Sequence, residues 1–210
     1  MDVTKRRAGL PVEFAQAPMR TVRVADAAAV YAHPATQLAR LERLGLLHKV
    51  AVGYYVVVPA DRVGLAWTPT IEAAAGGIAA AAVGADRAVL MGITAARLHN
   101  VLPRALGIAI VAAPDRRHDI VLRDRDGRIH FVVRQTELLD AELLMTELGQ
   151  CLVTTPEQTV LDLAHRPQLG GAEAEAQAAI TALLPRCDAG TLERLAAQQR
   201  LGAALQRLAR

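Results

Sequence analysis

The chain has 210 residues, 52% of them hydrophobic but only 3% aromatic, and a formal net charge of +3. That length and apolarity exclude wholesale disorder and allow one large or two small domains, with cores built from Ala, Val, Leu and Ile. The charge is uneven: residues 1–60 hold eight bases and four acids, a balance of +4, and residues 61–210 hold 16 bases and 17 acids, a balance of −1. A polyanionic partner is therefore expected to meet only the first third. Cys151 and Cys187 form no CxxC pair and have no His at ligand spacing, which argues against a disulfide framework or a zinc site. No apolar segment follows Lys5-Arg6-Arg7 as in a signal peptide. The apolar run at 73–84 is too short to span a bilayer and contains Gly76-Gly77. The expectation is a soluble, cytoplasmic chain with no membrane partner.

Residues 1–9 read as a basic arm, and a short helix is expected near 11–17. Residues 24–31 (VADAAAVY) are helical in composition. Ala32-His33-Pro34 breaks that pattern. Pro34 suits the first position of a new helix, where its missing N–H costs nothing. That helix runs to about Leu44, with Gly45 at C′ and Leu46 folding back onto Leu41 in a Schellman arrangement. The runs at 47–51 and 54–58 are rich in β-branched and aromatic residues and flank Val52-Gly53, so they form a hairpin that Pro59 ends. Residues 60–69 read as a linker. Helices follow at 70–83 and at 94–101, the second with Thr94 as N-cap. Strands are expected at 108–112, 119–123 and 129–134, the last two joined through Asp124-Arg125-Asp126-Gly127. A strand at 151–154, a helix at 156–165 and two closing helices at 171–184 and 189–208 complete the chain.

The helix at 34–44 carries the clearest chemistry. Leu38, Leu41 and Leu44 can pack inward, leaving Thr36, Gln37, Arg40 and Arg43 on the outer face. Arg suits guanine, Gln suits adenine, and Thr suits a thymine methyl or a phosphate. A short helix, a turn and this helix make a helix-turn-helix, and the hairpin behind it is a wing. His48 and Lys49 on the wing are placed for backbone or minor groove. Arg20 and Arg23, ahead of the first helix, can hold phosphates, which positions the protein without reading sequence.

Residues 61–210 offer little catalytic chemistry. Asp115, Asp119 and Glu137 lie in a strand-rich region, but a PD-(D/E)xK nuclease needs a Lys after its second acid, and there is none beyond Lys49. Gly76-Gly77 lacks the GxxxxGK pattern of a phosphate loop. No catalytic residue, cofactor or metal is expected. Asp162, on an otherwise apolar helix stretch, is expected to make a buried hydrogen bond locking helix to sheet. His99 and His165 are expected to cap helices or pack in the core. Arg116, Arg117, Arg123, Arg125 and Arg128 alternate with Asp115, Asp119, Asp124 and Asp126. Mutual pairing on a solvated face and a toxin- or DNA-contacting surface both stay open.

Three blocks resemble the AbiEi-type antitoxins. The first comprises Val24-Ala25-Asp26, Ala35-Thr36-Gln37-Leu38-Ala39-Arg40-Leu41, Gly45-Leu46-Leu47 and Gly53-Tyr54-Tyr55. The second is Thr94-Ala95-Ala96-Arg97-Leu98-His99-Asn100-Val101-Leu102-Pro103, and the third is Thr155-Pro156-Glu157-Gln158-Thr159-Val160-Leu161-Asp162-Leu163-Ala164. Their order and spacing match over about residues 20–165, and the Arg/Ala-rich composition is similar to that of a mycobacterial branch. Family members often carry Gly at the position of Asn100 and Arg at that of Gln158. The resemblance implies an antitoxin that neutralises a nucleotidyltransferase toxin from the same operon and represses the operon promoter. The fold expected is α+β: a winged helix-turn-helix over 1–60, then a mixed α/β antitoxin domain over 61–210 that ends in helices. A plain winged-helix regulator with a ligand-sensing or dimerising C-terminal domain is the alternative.

Overall fold

In the computed structural model, residues 9–209 are described. The basic segment expected from Lys5, Arg6 and Arg7 lies outside them. Helix α1 (Val12–Ala15) and a 3-10 turn (Pro18–Arg20) lead into strand β1 (Thr21–Arg23). After a second 3-10 turn (Asp26–Ala29) come helix α2 (Pro34–Arg43) and strands β2 (Leu47–Ala51) and β3 (Tyr54–Val57). The three strands form an antiparallel sheet in the order β1-β3-β2. The expected helix at 24–31 is thus a single 3-10 turn, and β1 replaces its approach. Thr21 pairs with Val56 and Arg23 with Tyr54, and Val24 N continues that ladder by donating to Gly53 O (2.9 Å), which ties the start of the 24–31 segment to the hairpin.

Helix α3 (Ile71–Val83) follows, then β4 (Val89–Leu90), α4 (Gly92–Leu98), β5 (Ile108–Ala113), β6 (Ile120–Val121) and β7 (Arg128–Val133). Strands β8 (Ala141–Thr146) and β9 (Gly149–Thr154) make a hairpin that precedes α5 (Pro156–His165). The chain closes with α6 (Glu173–Leu183), α7 (Ala189–Gln198) and α8 (Gly202–Leu208). Six strands form one mixed sheet in the order β6-β7-β5-β4-β9-β8, with β5/β7 and β4/β9 parallel. The architecture is α+β with its helices gathered at the C-terminal end.

The side chains of β5 alternate between two cores, as the period of a strand requires. Ala109, Val111 and Ala113 join α3 on one face, whereas Ile108, Ile110 and Ala112 join α4, α5, α6 and α7 on the other. Helix α3 is buried on all sides from Ile71 to Ala80, as expected of a helix apolar all round. The first core also takes in Met19, Val50, Ala51 and Val56, so the three-stranded and six-stranded sheets share apolar packing. Gly76 and Gly77 permit that approach. A Cβ on Gly77 would collide with Thr21 Oγ1, and one on Gly76 would lie 2.8 Å from Met19 Cε. A third core, of Phe14, Val22, Leu38, Leu41, Leu46, Leu47 and Tyr55, belongs to the N-terminal unit alone. Among the described residues no helix is long and apolar enough to cross a membrane.

Candidate nucleic-acid interface

Helix α2 is held from its inner side and its end. Leu38 and Leu41 are fully buried. The closure is a Schellman motif: Gly45 N donates to Glu42 O (2.8 Å) and Leu46 N to Leu41 O (3.0 Å), with Gly45 at φ 70°. Leu44, expected inward, is 53% exposed, because it caps the helix and Leu46 does the packing instead. The outer face presents Thr36, Arg40 and Arg43 to solvent, with Gln37 half-buried. Among the described residues Arg43 Nε donates only to Ala39 O, at 3.4 Å. Neither Arg40 nor Arg43 joins an ion pair among the described residues, so both guanidiniums are available to an anionic partner.

The other expected contacts are placed differently. Arg23 is bound by Asp26 through two hydrogen bonds, Nε to Oδ2 (2.7 Å) and Nη2 to Oδ1 (2.6 Å). The hydrogen bond to Asp26 raises the pKa of Arg23 above its usual value. Arg23 lies beside the β2–β3 turn, opposite Tyr54. Arg20 is exposed in a left-handed conformation (φ 53°), next to Met19, which packs on α3. Lys49 Nζ sits 5.6 Å over the Tyr55 ring. His48 Nε2 meets Asp124 Oδ2 at 2.8 Å, and its ring stands edge-on to Trp67. Thr36, Gln37, Arg40 and Arg43 therefore share one helix, His48 and Lys49 lie on the following strand, and Arg20 and Arg23 flank β1.

Sequence reasoning did not find that residues 122–124 hold the outer edge of this hairpin. Arg123 N donates to Val50 O (2.8 Å), and Ala51 bridges Leu122 in antiparallel fashion. Asp124 is almost wholly buried between His48 and Arg125. Burial raises its pKa, but hydrogen bonds from Arg125 and His48 outweigh that and hold the carboxyl below the usual range. The only sequence signal was the Asp124–Gly127 turn itself, which names no partner. In the neighbouring charged cluster Arg87 pairs with Asp115, and Asp119 with Arg128 and His130. Arg116, Arg117 and Arg123 join no ion pair among the described residues.

The two later sequence blocks build the C-terminal core. Thr94 is not an N-cap; it lies inside α4, and its Oγ1 accepts from Ile110 N (2.7 Å), tying helix to sheet. His99 is buried and its Nε2 meets Thr154 O at 2.8 Å. Asn100 takes a left-handed φ of 61° just past the helix, where Gly is the usual residue and Asn the next best. Glu72, buried on α3, pairs with Arg97. Thr155 caps α5 by accepting from Gln158 N. Asp162 makes the buried lock expected of it: its Oδ1 accepts from Arg134 Nη1 (2.9 Å) and Gln158 Nε2 (3.2 Å). Burial raises its pKa, with Arg134 opposing. His165, by contrast, is exposed.

Residues 87–210 match the family described as AbiEi antitoxin C-terminal domain. Among curated proteins, no sequence relative matches the chain. Among solved structures, the chain is similar to the crystal structure of the RV2827C protein from Mycobacterium tuberculosis. The match covers 99% of this chain and 78% of that one, with a TM-score of 0.58 at 17% identity. At that identity the likeness speaks to the fold alone.

Proposed function

The chain belongs to the AbiEi antitoxin family, and from that premise we propose that it neutralises a nucleotidyltransferase toxin encoded in the same operon and represses the operon promoter. In this reading residues 1–60 are a winged helix-turn-helix and residues 61–210 the antitoxin domain. The observation that carries the DNA half is the outer face of α2. Thr36, Arg40 and Arg43 are exposed on a helix whose inner side is locked by Leu38 and Leu41. A rigid helix with unpaired guanidiniums suits base edges in a major groove. The β2–β3 hairpin behind it is the wing, with Lys49 for phosphate. Arg20 and Arg23 are the flanking phosphate contacts. Arg23 would reach DNA only by sharing or leaving Asp26.

The test is promoter binding across a salt series. Arg40→Ala should weaken binding to the operon promoter by about 1–3 kcal/mol and relax base preference. Lys49→Ala should weaken binding to all sequences alike and flatten the salt slope. Identical behaviour of the two variants would overturn the docking, and absence of promoter binding by the wild type would overturn autorepression.

A further inference from the structure

We propose that the C-terminal domain binds a small oxyanionic metabolite, phosphate- or carboxylate-bearing, in the cleft between the end of β7 and the end of α7. This site is separate from the α2 face and does not depend on the promoter-binding reading. The cleft has a volume of about 440 Å³, lined by Arg134, Gln135, Leu138, Gln198, Gln199 and Arg200 among others. That size is within the range of small-molecule sites.

The floor is built from polar side chains. Arg134 gives Nη1 to Asp162 Oδ1 (2.9 Å) and Nη2 to Gln199 Oε1 (2.9 Å). Gln158, fully buried, donates Nε2 to both Asp162 Oδ1 (3.2 Å) and Gln199 Oε1 (3.1 Å). These bonds fix the Arg134 guanidinium and leave its Nε without a partner among the described residues. Asp162 Oδ2 is buried with no hydrogen bond among the described residues. Asp162 offsets the charge of Arg134, so Arg200 at the mouth sets the net charge of the cleft. Buried polar networks are costly, and apolar side chains of similar volume would hold α5 to the sheet at least as well.

Arg200 is the second observation. Helix α7 closes as a Schellman motif, with Leu201 N donating to Ala196 O at 2.8 Å, and Arg200 occupies the left-handed position at φ 56°. Gly is the ordinary residue there, because a Cβ is strained at positive φ. The chain accepts that strain and obtains an exposed guanidinium that joins no ion pair among the described residues. Strain of this kind collects at binding sites. Arg200 can offer its whole guanidinium fork and Arg134, held in place by its two internal bonds, its Nε, a pair of donors suited to a carboxylate or phosphate. The amides of Gln135 and Gln198 can meet further polar groups, and Leu138 offers an apolar wall.

The experiment uses the full chain, with ATP, pyrophosphate and citrate as probes at millimolar concentration, read by thermal shift and calorimetry. At least one probe should bind and raise the Tm of the wild type. Arg200→Gly removes the guanidinium and the strain together. It should raise the ligand-free Tm by about 1–3 °C and weaken binding by about tenfold or more. Binding of ATP or pyrophosphate without citrate identifies a phosphate ligand, and the reverse a carboxylate. No response to any probe, undiminished binding by Arg200→Gly, or a lower ligand-free Tm for that variant would overturn the proposal.

Discussion

Helices α2 and α5 are both ten residues long and both begin with a proline at the first position. They use their polar residues in opposite ways. Helix α2 buries only Leu38 and Leu41 and turns Thr36, Arg40 and Arg43 to solvent. Helix α5 buries seven consecutive residues, Gln158 to Ala164, with Thr159 bonded to Thr154 and Asp162 to Arg134. Polar groups that meet no partner inside the molecule are free to meet one outside it. Polar groups enclosed by sheet and helices must instead satisfy one another. On this comparison, the polar residues of α5 bear on stability and on the floor of the proposed cleft, and those of α2 stand exposed for the proposed DNA contact.

The largest effect is expected at Arg134. Arg134→Ala leaves Asp162 as a buried, uncompensated carboxylate and should cost about 3 kcal/mol in urea denaturation. The pH dependence has a definite sign. Burial raises the pKa of Asp162 and Arg134 opposes that rise, so the variant's carboxyl should bind its proton more readily still. A carboxyl whose folded pKa is raised costs stability as pH rises through the window above its ordinary value. The deficit of Arg134→Ala should therefore narrow on acidification, and a pH-independent deficit would contradict the buried-charge account. Gly77→Val comes next. Its side chain would meet Thr21 where α3 carries β1, and should cost roughly 2 kcal/mol in the same assay.

Asp124→Ala should have a smaller effect, about 1 kcal/mol, by removing the hydrogen bonds of His48 and Arg125. Asp124 is held below the usual carboxylate range. Its contribution is present above its ordinary pKa and lost as pH falls through the lowered value. The difference from wild type should vanish in acid because the wild type loses its advantage there, whereas the Arg134→Ala deficit narrows because the variant recovers. Smallest of all, Arg40→Ala should change stability by less than about 0.5 kcal/mol while weakening DNA binding. A clear loss of stability would place Arg40 with the α5 residues.

Strong local signals were legible in the sequence. Pro34 and Gly45 bracket α2, Val52-Gly53 turns β2 into β3, and Thr155-Pro156 opens α5 where expected. What escaped depends on distant partners. Strand β1 has three residues and β4 two, too short for any periodicity, and they exist through pairing with β3 and with β5 and β9. Strand β8 reads AELLMT, a helix-forming composition that pairing with β9 overrides. The closing helix expected at 189–208 is broken after Gln198, because Arg200 stands at a left-handed position that glycine would have advertised. At the candidate interface the outer residues of α2 were readable from spacing. The capture of His48 by Asp124 was not, since 76 residues separate them.

Growth rescue is the decisive measurement of antitoxin function. The neighbouring gene would be induced alone, with the full chain, and with the full chain carrying Arg40→Ala. The neighbour alone should arrest growth and both forms of the chain should restore it, as follows from the proposal that α2 serves DNA and residues 61–210 the antitoxin role. Failure of the wild-type chain to restore growth against a toxic neighbour would contradict the account, and rescue lost only with Arg40→Ala would contradict its division of labour.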